Sequence, residues 1–94
     1  AFRGTHLYEI LNKEKISDLL FCGAMSHMCI DATTRAAFDL GFKCIVAEDA
    51  CATRDLTFKE TTVNASEVHA SFMAALSSPY AEVTSTKRIL EEMA

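Results

Sequence analysis

Cys29 is the residue whose type and position are most suited to covalent chemistry. Residues 19–22 form an apolar run of strand length, and Gly23 permits a sharp turn directly after it. Ser26 is a candidate N-cap, so we expect a helix that has Cys29 in its first turn. The free N–H groups and the positive dipole of a helix N-terminus favour a thiolate over a thiol. The pattern therefore predicts a reactive sulfur at the edge where open α/β sheets bind their ligands.

Other interpretations of these residues remain open from the sequence. Cys29 could be a small apolar residue in a buried turn. Ser26 is a better cap than a nucleophile, because its hydroxyl can accept a hydrogen bond from an N–H two or three residues on. His27 could serve as a general base, but side chains two positions apart do not face each other on a helix. We therefore interpret His27 as a histidine at the pocket rim or on the surface.

The composition limits the classes of protein to which this chain of 94 residues can belong. Half of the residues are apolar, which predicts a single small domain with a buried core. The net charge of −4 provides no basic surface, so we do not expect nucleic acid as a partner. No apolar run approaches the roughly 18 residues that span a bilayer, so we do not expect a membrane partner.

The cysteines and histidines do not have the spacing of metal ligands. The four cysteines form no C-x-x-C pair. Cys22 and Cys44 fall in apolar runs and are predicted to be core thiols, and Cys51 is interpreted as a small packing residue. His6 and His69 lie on predicted helices without carboxylate or cysteine partners. We therefore predict no metal and no cofactor, in a reduced, cytoplasmic protein.

Strand and helix signals alternate along the chain. Apolar runs of strand length occupy residues 16–22, 42–47 and 81–84. Helical signals occupy residues 6–13, 27–40, 64–77 and 86–93. Asn64 and Ser85 are N-cap candidates, and Gly41 is a stop signal. This order predicts an α/β fold with a parallel sheet of about three strands and three or four helices. Such a sheet leaves one edge unpaired, so we expect further strands from outside the chain.

Residues 48–60 show no clear periodicity and are predicted to form a polar loop beside the pocket. Within this loop, we expect Asp49 to fix the turn by bonding local backbone and Arg54 to pair with a carboxylate.

Three segments of the chain, in this order and spacing, resemble the isochorismatase-like cysteine hydrolases, a family that includes nicotinamidases, carbamoyl-amide hydrolases and isochorismatases. The central one is Gly23-Ala24-Met25-Ser26-x-x-Cys29-Ile30-x-x-Thr33, followed by Ala36, Ala37, Gly41 and Phe42. The others are EDACATRD at residues 48–55 and AFRGTHL at residues 1–7. The resemblance covers nearly the whole chain but does not specify a substrate.

This resemblance implies a role for each residue of the turn. Cys29 would be the catalytic nucleophile, attacking a small amide and forming a thioester. The backbone N–H groups of Met25 and Cys29 would form the oxyanion hole. A cis peptide bond would join Ala24 to Met25, and Phe2 would form an apolar pocket wall. Small-molecule amides are therefore the expected substrates.

The resemblance also implies that residues 1–94 are a single partial domain. They match the C-terminal half of a three-layer α/β/α, doubly wound parallel sheet of Rossmann-like type. The family's catalytic aspartate and lysine have no counterpart here, so we expect the chain to need the missing N-terminal half and to be inactive alone. Family members are commonly homo-oligomers, and we expect the same. Isochorismatase-type vinyl ether hydrolysis and a non-catalytic subunit, or pseudo-enzyme, are the alternative interpretations.

Overall fold

Three parallel strands form the central sheet of the computed structural model, which describes residues 1–93. The strands are β1 (Asp18–Ala24), β2 (Lys43–Ala52) and β5 (Glu82–Thr84), in the order β1-β2-β5. The longest strand, β2, pairs with β1 on one side and with β5 on the other. The predicted α/β fold with a parallel sheet is confirmed.

Within residues 1–93, four α-helices accompany the sheet: α1 (Leu7–Lys13), α2 (Asp31–Asp39), α3 (Ala65–Leu76) and α4 (Thr86–Met93). The predicted cap of α3 is confirmed, because the Asn64 side chain accepts a hydrogen bond from the Glu67 N–H at 3.0 Å. At the start of α4, the Arg88 N–H donates to the Ser85 hydroxyl at 3.2 Å. Gly41 follows α2 with a φ of 97°, a conformation that glycine adopts at low cost after a helix.

Two clusters of buried side chains hold the helices against the sheet. One cluster joins the segment before α2 to β2 and α3, through Ile30, Val46, Met73 and Leu76. The second joins α2 to the start of β2, through Ala37, Phe42 and Cys44. Cys44 and Val46 are two positions apart on β2, so the pleat places both side chains on the same face. Burial of these apolar groups provides the main stabilisation of the fold.

Residues 48–60 are more regular than the predicted polar loop. The strand β2 continues to Ala52, and a hairpin follows, made of β3 (Leu56–Phe58) and β4 (Thr61–Val63). Lys59, with a φ of 55°, lies in the turn between them. The threonines, Phe58 and Val63 favour a pleated backbone, but each strand is only three residues long, and the segment was predicted as a loop. The extension of β2 pairs with the end of β1, where Gly23 faces Cys51 after a shift in register.

The strand β1 forms one edge of the sheet. Within residues 1–93 it pairs with β2 alone, and Leu20 near its centre is 52% exposed. An unpaired apolar edge was predicted, and the structure of the described residues has one. No helix among these residues is both long enough and apolar enough to cross a bilayer.

Replacing Thr34 by valine should stabilise the protein. Thr34 in α2 is fully buried, and its Oγ1 has no hydrogen-bond partner within residues 1–93. Valine keeps the shape and removes the unsatisfied hydroxyl, so we expect Thr34→Val to raise the free energy of unfolding by about 1 kcal/mol. Urea unfolding of the full protein measures this. The control Thr34→Ser keeps the hydroxyl and removes a methyl group, and should destabilise; equal stability of all three proteins would contradict the explanation.

Asp49 should make stability depend on pH in the acidic range. Its Oδ1 accepts hydrogen bonds from the Thr86 N–H at 2.8 Å and from the Thr86 hydroxyl at 2.6 Å. These bonds hold the pKa of the Asp49 carboxyl below its ordinary value of 3.8. The stabilisation is therefore complete above pH 3.8 and is lost as the pH falls through the lower folded-state pKa.

Urea unfolding across the acidic pH range tests this link between β2 and α4. Asp49→Asn should lose part of the wild-type decline in stability with acidification, because the amide does not titrate. The matched control is Asp39→Asn, since the exposed Asp39 makes no side-chain hydrogen bond within residues 1–93. A pH profile altered equally by both substitutions would contradict a specific role for Asp49.

Candidate functional site

Cys29 lies in a π-helical turn, Ser26–Ile30, that connects β1 to α2. The side chain is exposed, and the turn follows the carboxyl end of β1, as the sequence predicted. The predicted N-cap is wrong. Met25 occupies the cap position, and the Ser26 side chain makes no capping bond because it is buried inside the fold. The wider π-helical spacing before α2 was not foreseen, since it depends on how this turn packs.

The backbone around Met25 determines where the amide groups of the turn point. The Met25 carbonyl accepts hydrogen bonds from Met28 N–H at 2.9 Å and from Ile30 N–H at 3.3 Å. The peptide bond between Ala24 and Met25 is cis, the geometry that the resemblance implied. Within residues 1–93, Met25 N–H has no acceptor, and Cys29 N–H donates to no residue outside its own turn. Two backbone donors close to Cys29 in the sequence are thus left without an acceptor outside the turn within residues 1–93.

A cavity of about 360 Å³ opens beside Cys29. It runs along β1 and is lined in part by Phe2. The Phe2 ring stacks on Phe42, with ring centroids 6.2 Å apart. The other lining residues are Ala1, Ile30 of the turn, Thr33 in α2, leucines of α1 and β1, and residues 21–24 of β1. None of the side chains that line this cavity within residues 1–93 is charged. A small, largely apolar molecule suits such a space.

His27 is half-buried, does not line this cavity and is held by two contacts. Its Nδ1 is 2.8 Å from the Thr53 hydroxyl, and its ring packs edge-on against Phe72 with centroids 6.0 Å apart. His27 and Cys29 both line a shallow hollow outside the cavity, together with Asp31. The Asp31 carboxylate is already paired with Arg35 at 2.9 Å, so it is not a free base.

The partner of Ser26 could not be predicted from the sequence. Its Oγ lies 2.7 Å from Nδ1 of His69 in α3, which the sequence placed on a helix without a partner. The two residues are 43 positions apart, so no local spacing could have indicated the contact. The one feature of the sequence that could have indicated a partner for His69 was its position directly after Val68, which is buried, on the same helix.

Two predicted interactions of the segment 48–60 are corrected. Asp49 bonds Thr86, 37 positions away, and not the local backbone. Arg54 forms no ion pair within residues 1–93, where the salt bridges involve other residues. Asp55 instead accepts a hydrogen bond from Ala65 N–H, at 2.7 Å, at the start of α3. Carboxylates near the ends of β2 thus bind helix N-termini, which present free N–H groups.

The other three cysteines differ from one another in their environment. Burial raises the pKa of the Cys44 thiol, in agreement with its predicted place in the core. Burial also raises the pKa of the partly exposed Cys51, whose Sγ donates to the Ala47 carbonyl. Cys22 is exposed on the edge strand β1, so its predicted place in the core is not found in residues 1–93.

The geometry permits one kind of chemistry in particular. The exposed Cys29 lines a cavity, and backbone N–H groups without an acceptor outside the turn, such as those of Met25 and Cys29, are donors of the kind that stabilise negative charge on an oxygen. Within residues 1–93, no carboxylate or lysine lines the cavity to move protons, and no group of three or more His, Cys, Asp or Glu residues could hold a metal.

Comparison with known proteins agrees with this geometry. The family model of the isochorismatase domain matches residues 1–88. The chain is 47% identical over 91 residues to the uncharacterized isochorismatase family protein YddQ of Bacillus subtilis, covering 97% of this chain and 51% of YddQ. It is 35% identical over 63 residues to nicotinamidase 3 of Arabidopsis thaliana, covering 67% of this chain and 32% of that protein.

Among solved structures, a protein of Oleispira antarctica assigned to the isochorismatase hydrolases superposes with a TM-score of 0.92 and 54% identity. That match covers 96% of this chain and 48% of the other. The chain therefore spans about half the length of both YddQ and this structure. The matched domain model, the parallel sheet and the turn around Cys29 agree: the chain belongs to the isochorismatase family.

Proposed function

We propose that the protein containing this chain hydrolyses a small amide-type C–N bond, with Cys29 as the nucleophile. The observation that carries the proposal is the exposure of Cys29 beside a cavity, in a turn where the N–H groups of Met25 and Cys29 have no acceptor outside the turn within residues 1–93. The match to a nicotinamidase supports an amide as the substrate class. The side chains that line the cavity within residues 1–93, among them Phe2, are uncharged, which favours a neutral acyl group.

The reaction takes place in two stages. The Cys29 thiolate attacks the carbonyl carbon, forming a C–S bond, and the carbonyl oxygen becomes an oxyanion that the two N–H groups stabilise. The C–N bond then breaks, and the amine leaves after accepting a proton. Water attacks the resulting thioester, releasing the carboxylic acid and regenerating the thiol.

The proton transfers in these steps need groups that the cavity lining lacks. In our proposal an aspartate and a lysine supply them, from the half of the domain that this chain does not span. Strands from that missing half would also pair with the open edge of β1. The proposal therefore concerns the complete protein, with residues 1–93 supplying the sulfur and the oxyanion donors. A homo-oligomeric assembly is a further part of the proposal.

Replacing Cys29 by alanine should abolish the activity. Ammonia release from a panel of small primary amides that includes nicotinamide measures turnover by the full protein. We expect Cys29→Ala to lower kcat by about 10³-fold or more, because covalent catalysis is lost. The matched control is Cys51→Ala, since Cys51 does not line the cavity beside Cys29. Mass spectrometry of the wild type during turnover should detect an acyl group on Cys29 alone.

The outcomes that contradict the proposal are distinct. Amide turnover that Cys29→Ala retains would show that Cys29 is not the nucleophile. Turnover of a vinyl ether that Cys29→Ala retains would favour vinyl ether hydrolysis, which does not require a thiol nucleophile. A wild-type protein that hydrolyses no amide and is never acylated at Cys29 would favour a non-catalytic subunit.

A further inference from the structure

Ser26 and His69 form a buried polar contact that the proposed reaction does not use directly. The Ser26 side chain is 0% exposed, and its Oγ lies 2.7 Å from His69 Nδ1 and 3.4 Å from the Ala52 carbonyl oxygen. A hydroxyl donates one hydrogen bond and can also accept. If Nδ1 is protonated, His69 donates to Ser26 and Ser26 donates to Ala52; otherwise Ser26 donates to Nδ1. The buried hydroxyl therefore has a partner in either tautomer.

This contact joins three elements at the start of the turn. Ser26 directly follows Met25 and lies three positions before Cys29, Ala52 ends β2, and His69 belongs to α3. The helix α3 is itself held by core side chains, among them Met73 and Leu76. The Ser26 hydroxyl is thus anchored to a part of the fold that has little freedom to shift.

We propose that His69 is a positioning residue, which acts through Ser26 to hold the turn that carries the Cys29 sulfur and the Met25 N–H. The inference rests on the proposed function. His69 does not line the cavity beside Cys29, so it does not touch a substrate bound there. Without His69, the buried hydroxyl would retain only the 3.4 Å contact with Ala52, and the turn could move to satisfy it elsewhere. A displacement of about 1 Å at a reacting group lowers the rate by roughly 10²-fold.

Two substitutions of His69 separate hydrogen bonding from bulk. Asparagine carries its amide atoms on Cγ, in the place where histidine carries Nδ1, so His69→Asn can keep the bond to Ser26. His69→Gln moves the amide one bond further from the backbone and should lose it. Ser26→Ala removes the hydroxyl itself. Glu67→Gln is the matched control, because the exposed Glu67 side chain lies on the same helix and makes no side-chain hydrogen bond within residues 1–93.

Two measurements on the full protein report on the position of the turn. The first is kcat and KM for an amide substrate: His69→Gln and Ser26→Ala should lower kcat by about 10- to 100-fold with KM little changed. The second needs no substrate. It is the rate of iodoacetamide alkylation of the exposed Cys29, followed by mass spectrometry and divided by the rate for free N-acetylcysteine in the same solution. This ratio should fall in His69→Gln and Ser26→Ala. In both measurements, His69→Asn should restore the wild-type values and Glu67→Gln should retain them.

The inference is overturned if His69→Gln keeps the wild-type kcat and alkylation ratio, or if a folded His69→Asn protein loses as much as His69→Gln. Thermal unfolding of each variant identifies any loss that comes from a failure to fold, and Ser26→Ala, the smallest change, then decides the question. If Cys29→Ala retains turnover, the proposed function fails, and the alkylation ratio alone still tests whether His69 positions the turn.

Discussion

The pairing of the carboxyl ends of β1 and β2 is the constraint on which the site depends. Gly23 and Ala24 pair with Cys51 and Ala52 after the shift in register, and the turn with Cys29 begins two residues later, at Ser26. The chain at this point leaves a ladder that satisfies its backbone polar groups and enters a turn that must satisfy them again. The Met25 carbonyl does so by accepting two N–H groups of the turn itself, at 2.9 and 3.3 Å.

Side chains of the turn then attach it to neighbouring elements. Ser26 and His27 point to different partners, but both reach the end of β2: Ser26 Oγ lies near the Ala52 carbonyl, and His27 Nδ1 bonds the Thr53 hydroxyl. These contacts use the polar groups next to Cys29 while leaving the sulfur exposed. A reactive group can thus be open to a ligand although the backbone that carries it is held on several sides.

The two edges of the sheet in residues 1–93 differ, because the edge formed by β1 is open. The second side of β2 is covered by β5, and α4 is tied to β2 through the bonds of Asp49 to Thr86. The strand β1 has no such cover within the described residues, and the apolar cavity beside Cys29 runs along it. The chain spans about half of its relatives, and the uncovered cavity lies on the side where further strands could pair.

The order of strands and helices, the cap at Asn64 and the place of Cys29 after a strand could all be predicted from sequence, because they follow from local periodicity and turn chemistry. The hairpin at Leu56–Val63 could not, since its short strands carry a weak local signal. The partners of Ser26, Asp49 and His69 are determined only by the tertiary structure. Each lies 26 to 43 positions away along the chain, and which polar groups meet at that distance depends on the register of β1 and β2 and on the packing of α3.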